Sequence, residues 1–155
     1  MIALFIYLVS IACWLGAIVF FSFFTAPAIF TQLPLGEAGK VIGAIFPRYY
    51  ALGYGAGIVG VLLAAYFTAA WNARGWWRAA ALALAVALGI TFYAGAVLLP
   101  RADAIRSVTE EQNPDPERKA EFDRLHRLSV VLNGAVLMLN LAALVGTAGA
   151  LTPRG

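Results

Sequence analysis

One cysteine (Cys13), one histidine (His126) and two methionines are the only thiol, imidazole and thioether groups in 155 residues. A lone cysteine excludes an internal disulfide framework and any two-cysteine metal clip. Charge is equally scarce. Only 12% of residues are Asp, Glu, Lys or Arg, far too few to clothe a water-facing exterior. The net charge of +3 is small and confined to connections, so headgroup contact accounts for it and nucleic acid is not an expected partner. No acid or lysine occupies an apolar run, which argues against proton-coupled pumping. Paired intramembrane carboxylates, a nucleophile with a base at helical spacing and a glycine-rich phosphate loop are also missing, so catalysis has little to stand on.

What remains is hydrocarbon. The chain is 62% hydrophobic with a mean hydropathy of +0.81. Apolar runs cover Ile2 to Phe30, Tyr49 to Trp71, Trp77 to Leu99 and Leu128 to Leu151. Each can cross a hydrocarbon core of about 30 Å at about 1.5 Å per residue. Arg78, at the rim of the third, is the one charged residue among them. The first run lacks a basic leader and far exceeds the roughly 7 to 15 apolar residues of a secretory signal, so it reads as a span. The expected fold is all-α: a single membrane domain over 1–155, built as a four-span bundle whose partner is the lipid bilayer.

Lys40, Arg48, Arg101, Arg106, Arg118, Lys119, Arg124 and Arg127 lie on the side of the first and third connections, against Arg74, Arg78 and Arg154 on the side of the termini. That asymmetry predicts both termini outside the cytoplasm. Pro27 should kink or stop the first span. Leu35 to Phe46 mixes Glu37 and Lys40 with Val41, Ile42, Ile45 and Phe46, which predicts a short interfacial helix, the second span opening after Pro47. Asp115 suits an N-cap with Pro116 at the first helical position, so the fourth helix should start well before the membrane. Ile105 and Val108 could then meet Phe122 and Leu125 in a projecting hairpin between spans three and four.

The most informative pattern is a stripe on the last span. Wound at about 100° per residue, His126, Ser129, Asn133, Asn140 and Thr147 fall within an arc of about 60°. Its bland reading is hydrogen bonding between helices, worth only about 0.6 kcal/mol per pair on average. Its sharper reading is a cavity wall for a small ligand, because two amides at different depths exceed what packing requires. On the first span Tyr7, Ser10, Trp14 and Thr25 share a face, and a mid-membrane indole needs a partner for its N–H. The site expected from these patterns is a pocket lined by Trp14, Tyr50, Ser129, Asn133 and Asn140, with Arg48, Arg101, Asp103 and His126 at its mouth. Asparagine both donates and accepts, so a neutral polar or amphipathic solute suits it better than a bare ion.

A competing class is a structural or interaction protein. Gly53 and Gly57, with Gly60 at the edge of their face, form a seam that lets another backbone approach, within the chain or in a homo-oligomer. No metal ligand set is evident. Cys13 and Met138 reach similar depths and could suit a soft cation, while His126 lies about 120° from Met138 on the wheel.

Trp14-x-Gly16, Phe20, Ala26-Pro27-Ala28, Phe46-Pro47-Arg48-Tyr49-Tyr50 and Leu125-His126-x-x-Ser129-x-x-x-Asn133 together resemble the small four-helix membrane proteins typified by transmembrane protein 205. The resemblance spans nearly the whole chain and implies a four-span bundle without assigning a reaction. Trp14, Gly16 and Pro27 are also distantly similar to copper resistance protein D and to the membrane-bound haem-containing protoporphyrinogen oxidases, which implies haem or copper. Those haem enzymes carry a histidine about two turns before the matching tryptophan, where this chain has Leu8 and apolar neighbours. His126 is then the one imidazole left to serve as an axial ligand.

Overall fold

A computed structural model of the chain describes residues 1–71, 73–109 and 116–152, except for the side chains of residues 106–109. The expected N-cap at Asp115, the charge of Arg154 and the side-chain contact of Val108 lie outside what is described.

All regular structure among the described residues is helical. Helix α1 (Ile2–Phe20) passes through a π turn (Phe21–Thr25) into α2 (Ala26–Gln32). Helix α3 (Leu35–Ala70) returns, α4 (Arg74–Tyr93) goes back through a second π turn (Ala94–Leu98) into α5 (Leu99–Thr109), and α6 (Pro116–Leu151) closes the bundle. The continuous helical stretches of 31, 36, 32 and 36 residues are each long and apolar enough to cross a membrane. This is the build of a multi-pass membrane protein. Two of them, at 36 residues, reach about 54 Å and must extend beyond a hydrocarbon core of about 30 Å.

Buried positions recur at alternating steps of three and four on every span: Tyr7, Ile11, Trp14 and Ile18 on α1; Gly53, Gly57, Gly60, Ala64 and Phe67 on α3; Val136, Asn140, Ala143 and Thr147 on α6. The third span shows the longest run, from Trp77 through Ala80, Leu84, Ala87, Thr91 and Ala94 to Leu98. A repeat of about 3.5 residues is the signature of left-handed, coiled-coil-like packing. The opposite faces carry Phe5, Leu62, Leu82, Val131, Met138 and Val145 outward, an apolar exterior that suits lipid.

Both π turns stand in the same relation to a proline. In each, one residue follows the turn and the next is proline: Ala26-Pro27 and Leu99-Pro100. The amide of Ala26 bonds the carbonyl of Phe21, and that of Leu99 bonds Ala94, each five residues back. Proline brings no N–H to the carbonyl four residues earlier and crowds it, and widening the preceding turn is how both helices continue past that defect.

The stretch expected as a separate interfacial helix instead runs unbroken into the second span, with Pro47 inside α3. Packing outweighs the break. Ala38 and Ile42 are buried, and the ring of Phe46 lies 5.5 Å from that of Phe21, which anchors this first part of the helix to the bundle. Leu33 turns extended to end α2, and the Pro34 carbonyl accepts from Ala38 to start α3. At the same end of the bundle α6 begins at Pro116 and packs against α5; the turn joining them lies outside the described residues.

The four spans form a ring in which α3 packs on α1 and α4, and α4 on α6, along most of their lengths. The seam between α1 and α6 is the shortest. Two cross-links fasten it: Tyr7 to Thr147 at 2.8 Å and Asn133 to Ser22 at 2.8 Å.

Candidate functional site

The α1–α6 seam opens beyond Asn133 into a cavity of about 520 Å³. Its walls come from the first π turn and α2, the first half of α3, the start of α5, and α6 from Phe122 to Leu137. Aromatic rings dominate: Phe21, Phe23, Phe30, Phe46, Tyr49 and Phe122. Phe21 packs on Phe46 and Tyr49 with ring centroids 5.5 and 5.0 Å apart. Polar groups gather at the two ends. Asp103 and His126 stand toward the connections, and Ser22, Tyr49 and Asn133 form the floor. A cavity of this size, mostly apolar with a few convergent polar groups, is how small-molecule sites are commonly built.

The floor is held by one amide. Tyr49 donates its hydroxyl proton to Asn133 Oδ1 at 2.5 Å, and Asn133 Nδ2 donates to Ser22 Oγ at 2.8 Å. Asn133 therefore ties α6 to α3 and to the first π turn at once. Ser22 sits in that turn, so the proline-driven widening of helix one places the hydroxyl that completes the floor.

The stripe on α6 becomes more buried as it descends. His126 is exposed, Ser129 and Asn133 are half-buried, and Asn140 and Thr147 are buried. The His126 ring lies parallel to Phe122, with centroids 6.4 Å apart, and its carbonyl accepts from Ser129 at 2.8 Å. Asn140 is fully buried. It donates to the carbonyl of Val136 in its own helix at 3.0 Å, and its Oδ1 has no partner among the described residues.

Of the residues expected to line the pocket, Tyr50, Ser129 and Asn133 border the cavity, and Asp103 and His126 border it at the mouth. Arg48 and Arg101 are exposed and outside its lining; Arg48 bonds the Ala44 carbonyl of its own helix at 3.3 Å. Trp14 borders a second, much smaller void of about 20 Å³ behind the floor, together with Tyr50, Gly53, Thr91, Ser129 and Asn133. Asn140 borders neither space. The sequence reading missed Tyr49, Ser22 and the phenylalanine walls. Tyr49 stood in plain view beside Tyr50, but nothing in the pattern told which of the two meets Asn133.

The glycine seam is filled from within the chain. A Cβ on Gly57 would lie 2.8 Å from Leu88 and 2.9 Å from the Trp14 ring, and one on Gly53 would lie 3.1 Å from Thr91 and 3.2 Å from Trp14 Nε1. Gly60 is central to this face rather than at its edge, against Leu84 and Ser10.

Among the described residues no three His, Cys, Asp or Glu side chains gather. Cys13 is exposed and Met138 is 64% exposed, so the two sulfurs lie on the outer surface rather than around a shared site.

A family pattern described as "Domain of unknown function (DUF4149)" matches residues 9–111, well over half of the chain. The chain belongs to this family. No curated protein and no solved structure matches it. The DUF4149 segment contributes the walls from Ile18 to Asp103, while the Asn133 side of the cavity comes from α6, beyond the matched residues.

Proposed function

We propose that this membrane protein binds a small amphipathic molecule in the cavity between helix one and α6. The observation that carries the reading is a volume of about 520 Å³ with aromatic walls between two polar ends. The apolar body of a guest would lie against Phe21, Phe46 and Phe122, and its polar groups would meet the polar ends, Asp103 and His126 at the mouth or Ser22, Tyr49 and Asn133 at the floor. Binding is favoured over passage. Beneath the floor Ile11, Trp14, Leu84 and Asn140 are at most 2% exposed, and the void beside Trp14 holds about 20 Å³.

Gly134 supplies the test. It shares the lining face of Val130 and Leu137, and a Cβ there meets nothing within 4 Å. Gly134→Phe should fill the cavity without straining the bundle. Native mass spectrometry of protein released from nanodiscs should show a retained small molecule or lipid on the wild type, lost in the variant at unchanged thermal stability. Equal spectra with no bound mass would refute the reading.

A scaffold reading is favoured by one observation, the closed chain Tyr49–Asn133–Ser22, in which the amide is spent on neighbouring helices. It has lost its expected oligomer interface, because Gly53, Gly57 and Gly60 are covered within the chain. Our reading also keeps the kinship with the transmembrane protein 205-like proteins and puts both termini outside the cytoplasm, so that the mouth opens on the cytoplasmic face. With Cys13 replaced by serine, an impermeant thiol reagent on intact cells should label Thr152→Cys and spare Ala104→Cys; the reverse pattern would invert the topology.

A further inference from the structure

Behind the floor, the void of about 20 Å³ is large enough for one oxygen-sized group, since about 10 to 15 Å³ on this measure suffices for a water. Its rim carries several side chains that can donate a hydrogen bond. Trp14 is 2% exposed, and it borders the void. Its Nε1 faces the space left by the missing side chain of Gly53, where a Cβ would stand only 3.2 Å away. Tyr50, with its hydroxyl donor, borders the same void, and Asn133 has a second Nδ2 hydrogen beyond the one given to Ser22. Thr91 and Ser129 have already donated to the carbonyls of Ala87 and His126, each at 2.8 Å. In an apolar surrounding, donors left idle are costly, and this set calls for an acceptor.

Tyr49, Tyr50, Ser129 and Asn133 border both the void and the large cavity. The two spaces are therefore neighbours across the floor. We propose that the void is the deep subsite of the binding cavity and takes a single hydrogen-bond-accepting oxygen, the carbonyl oxygen of the guest, held by the Trp14 indole and the Tyr50 hydroxyl, with water in its place when no guest is bound. This rests on the binding role argued above and narrows the guest to an apolar molecule bearing a carbonyl.

The molecule contains its own control. Trp77 Nε1 is buried and unpartnered among the described residues, and Trp77 borders neither space. The experiment is indole ¹⁵N–¹H spectroscopy of the whole protein in nanodiscs, with Trp14→Phe used to assign the Trp14 signal. Two probes of equal chain length, 2-undecanone and n-undecane, are titrated in turn. Without probe, the Trp14 indole should show a cross-peak to water and Trp77 none. The ketone should move the Trp14 signal downfield and remove the water cross-peak, whereas undecane should leave that cross-peak in place. Tyr50→Phe keeps the ring and removes the hydroxyl. It should weaken the ketone about threefold to tenfold, the worth of one hydrogen bond inside a membrane protein, and leave undecane unchanged.

If both probes shift the cavity residues equally and Tyr50→Phe changes neither affinity, the subsite is overturned while the cavity stands. A water cross-peak that persists at saturating ketone also overturns it, leaving a permanent water there. If neither probe perturbs any cavity residue, the subsite and the binding role fall together.

Discussion

Tyr49 and Asn133, 84 positions apart in sequence, are joined by a 2.5 Å hydrogen bond from the phenol to the amide oxygen. The same amide donates to Ser22, so removing Asn133 idles two partners while removing the Tyr49 hydroxyl idles one. Hydrogen bonds between membrane helices average about 0.6 kcal/mol and reach about 1.7. Tyr49→Phe should therefore lower unfolding stability by about 0.6 kcal/mol and Asn133→Leu by about 1 to 2 kcal/mol. A double-mutant cycle should return a coupling near the smaller figure. Strictly additive losses would show that the bond contributes nothing in the bilayer.

At the other end of the α1–α6 seam, the direction of the Tyr7–Thr147 bond follows from counting protons. The one hydroxyl hydrogen of Thr147 goes to the Ala143 carbonyl at 2.8 Å, so Tyr7 donates to Thr147. Tyr7 is fully buried and packs edge-on against Phe67 and Trp77, with centroids 5.8 and 5.5 Å away. Tyr7→Phe keeps those rings in contact and should cost about 0.6 kcal/mol; Tyr7→Ala opens a cavity and should cost about 3 to 5 kcal/mol. Thermal unfolding in one detergent would rank the two. Equal costs would mean that the ring packing carries nothing.

Glycines on the two faces of α3 should respond in opposite directions. Gly57→Ala puts a methyl within 3 Å of Leu88 and Trp14, in a layer with little room to yield, and should destabilise by about 1 to 3 kcal/mol. Gly55 has nothing within 4 Å of its missing Cβ. Gly55→Ala should be neutral or stabilising by up to about 1 kcal/mol, the helix-propensity difference. If Gly57→Ala folds as well as the parent, Trp14 is free to move and the void beside it is not fixed.

Span number, the apolar exterior and the inward face of Gly53 and Gly57 are legible because composition and helical period carry them directly. The floor of the cavity is not. A wheel turned at a constant 100° puts Thr25 on the face of Tyr7 and sets Ser22 about 60° away, yet Ser22 meets Asn133. The π turn resets the phase, and its one sequence signal is Pro27, two residues past its end. Pro100 gives the same signal on the third span. The continuity of α3 through Pro47 was hidden for the converse reason: a proline that local rules read as a boundary is overridden by the burial of Ala38 and Ile42 on one side and Gly53 on the other. Period alone also could not separate the two amides of α6, which share a face but not a surrounding.

That difference makes a sharp prediction. Asn133 is bonded through both its oxygen and its nitrogen to other helices, whereas the Oδ1 of fully buried Asn140 bonds nothing, and its Nδ2 reaches only its own helix. An orphaned buried carbonyl carries a desolvation penalty of about 1 to 3 kcal/mol, and no interhelical bond offsets it. Replacing Asn140 by valine removes the orphan while keeping a branched side chain at the same buried position. Stability should hold steady or rise by about 1 kcal/mol, even as Asn133→Leu loses it. A fall of similar size in Asn140→Val would instead mean that its oxygen holds an ordered water deep in the bundle, and such a water should then slow no longer the exchange of neighbouring α6 amides once the asparagine is gone. Measuring both variants side by side, in the same nanodiscs, distinguishes an amide that joins helices from one that only tolerates its place among them.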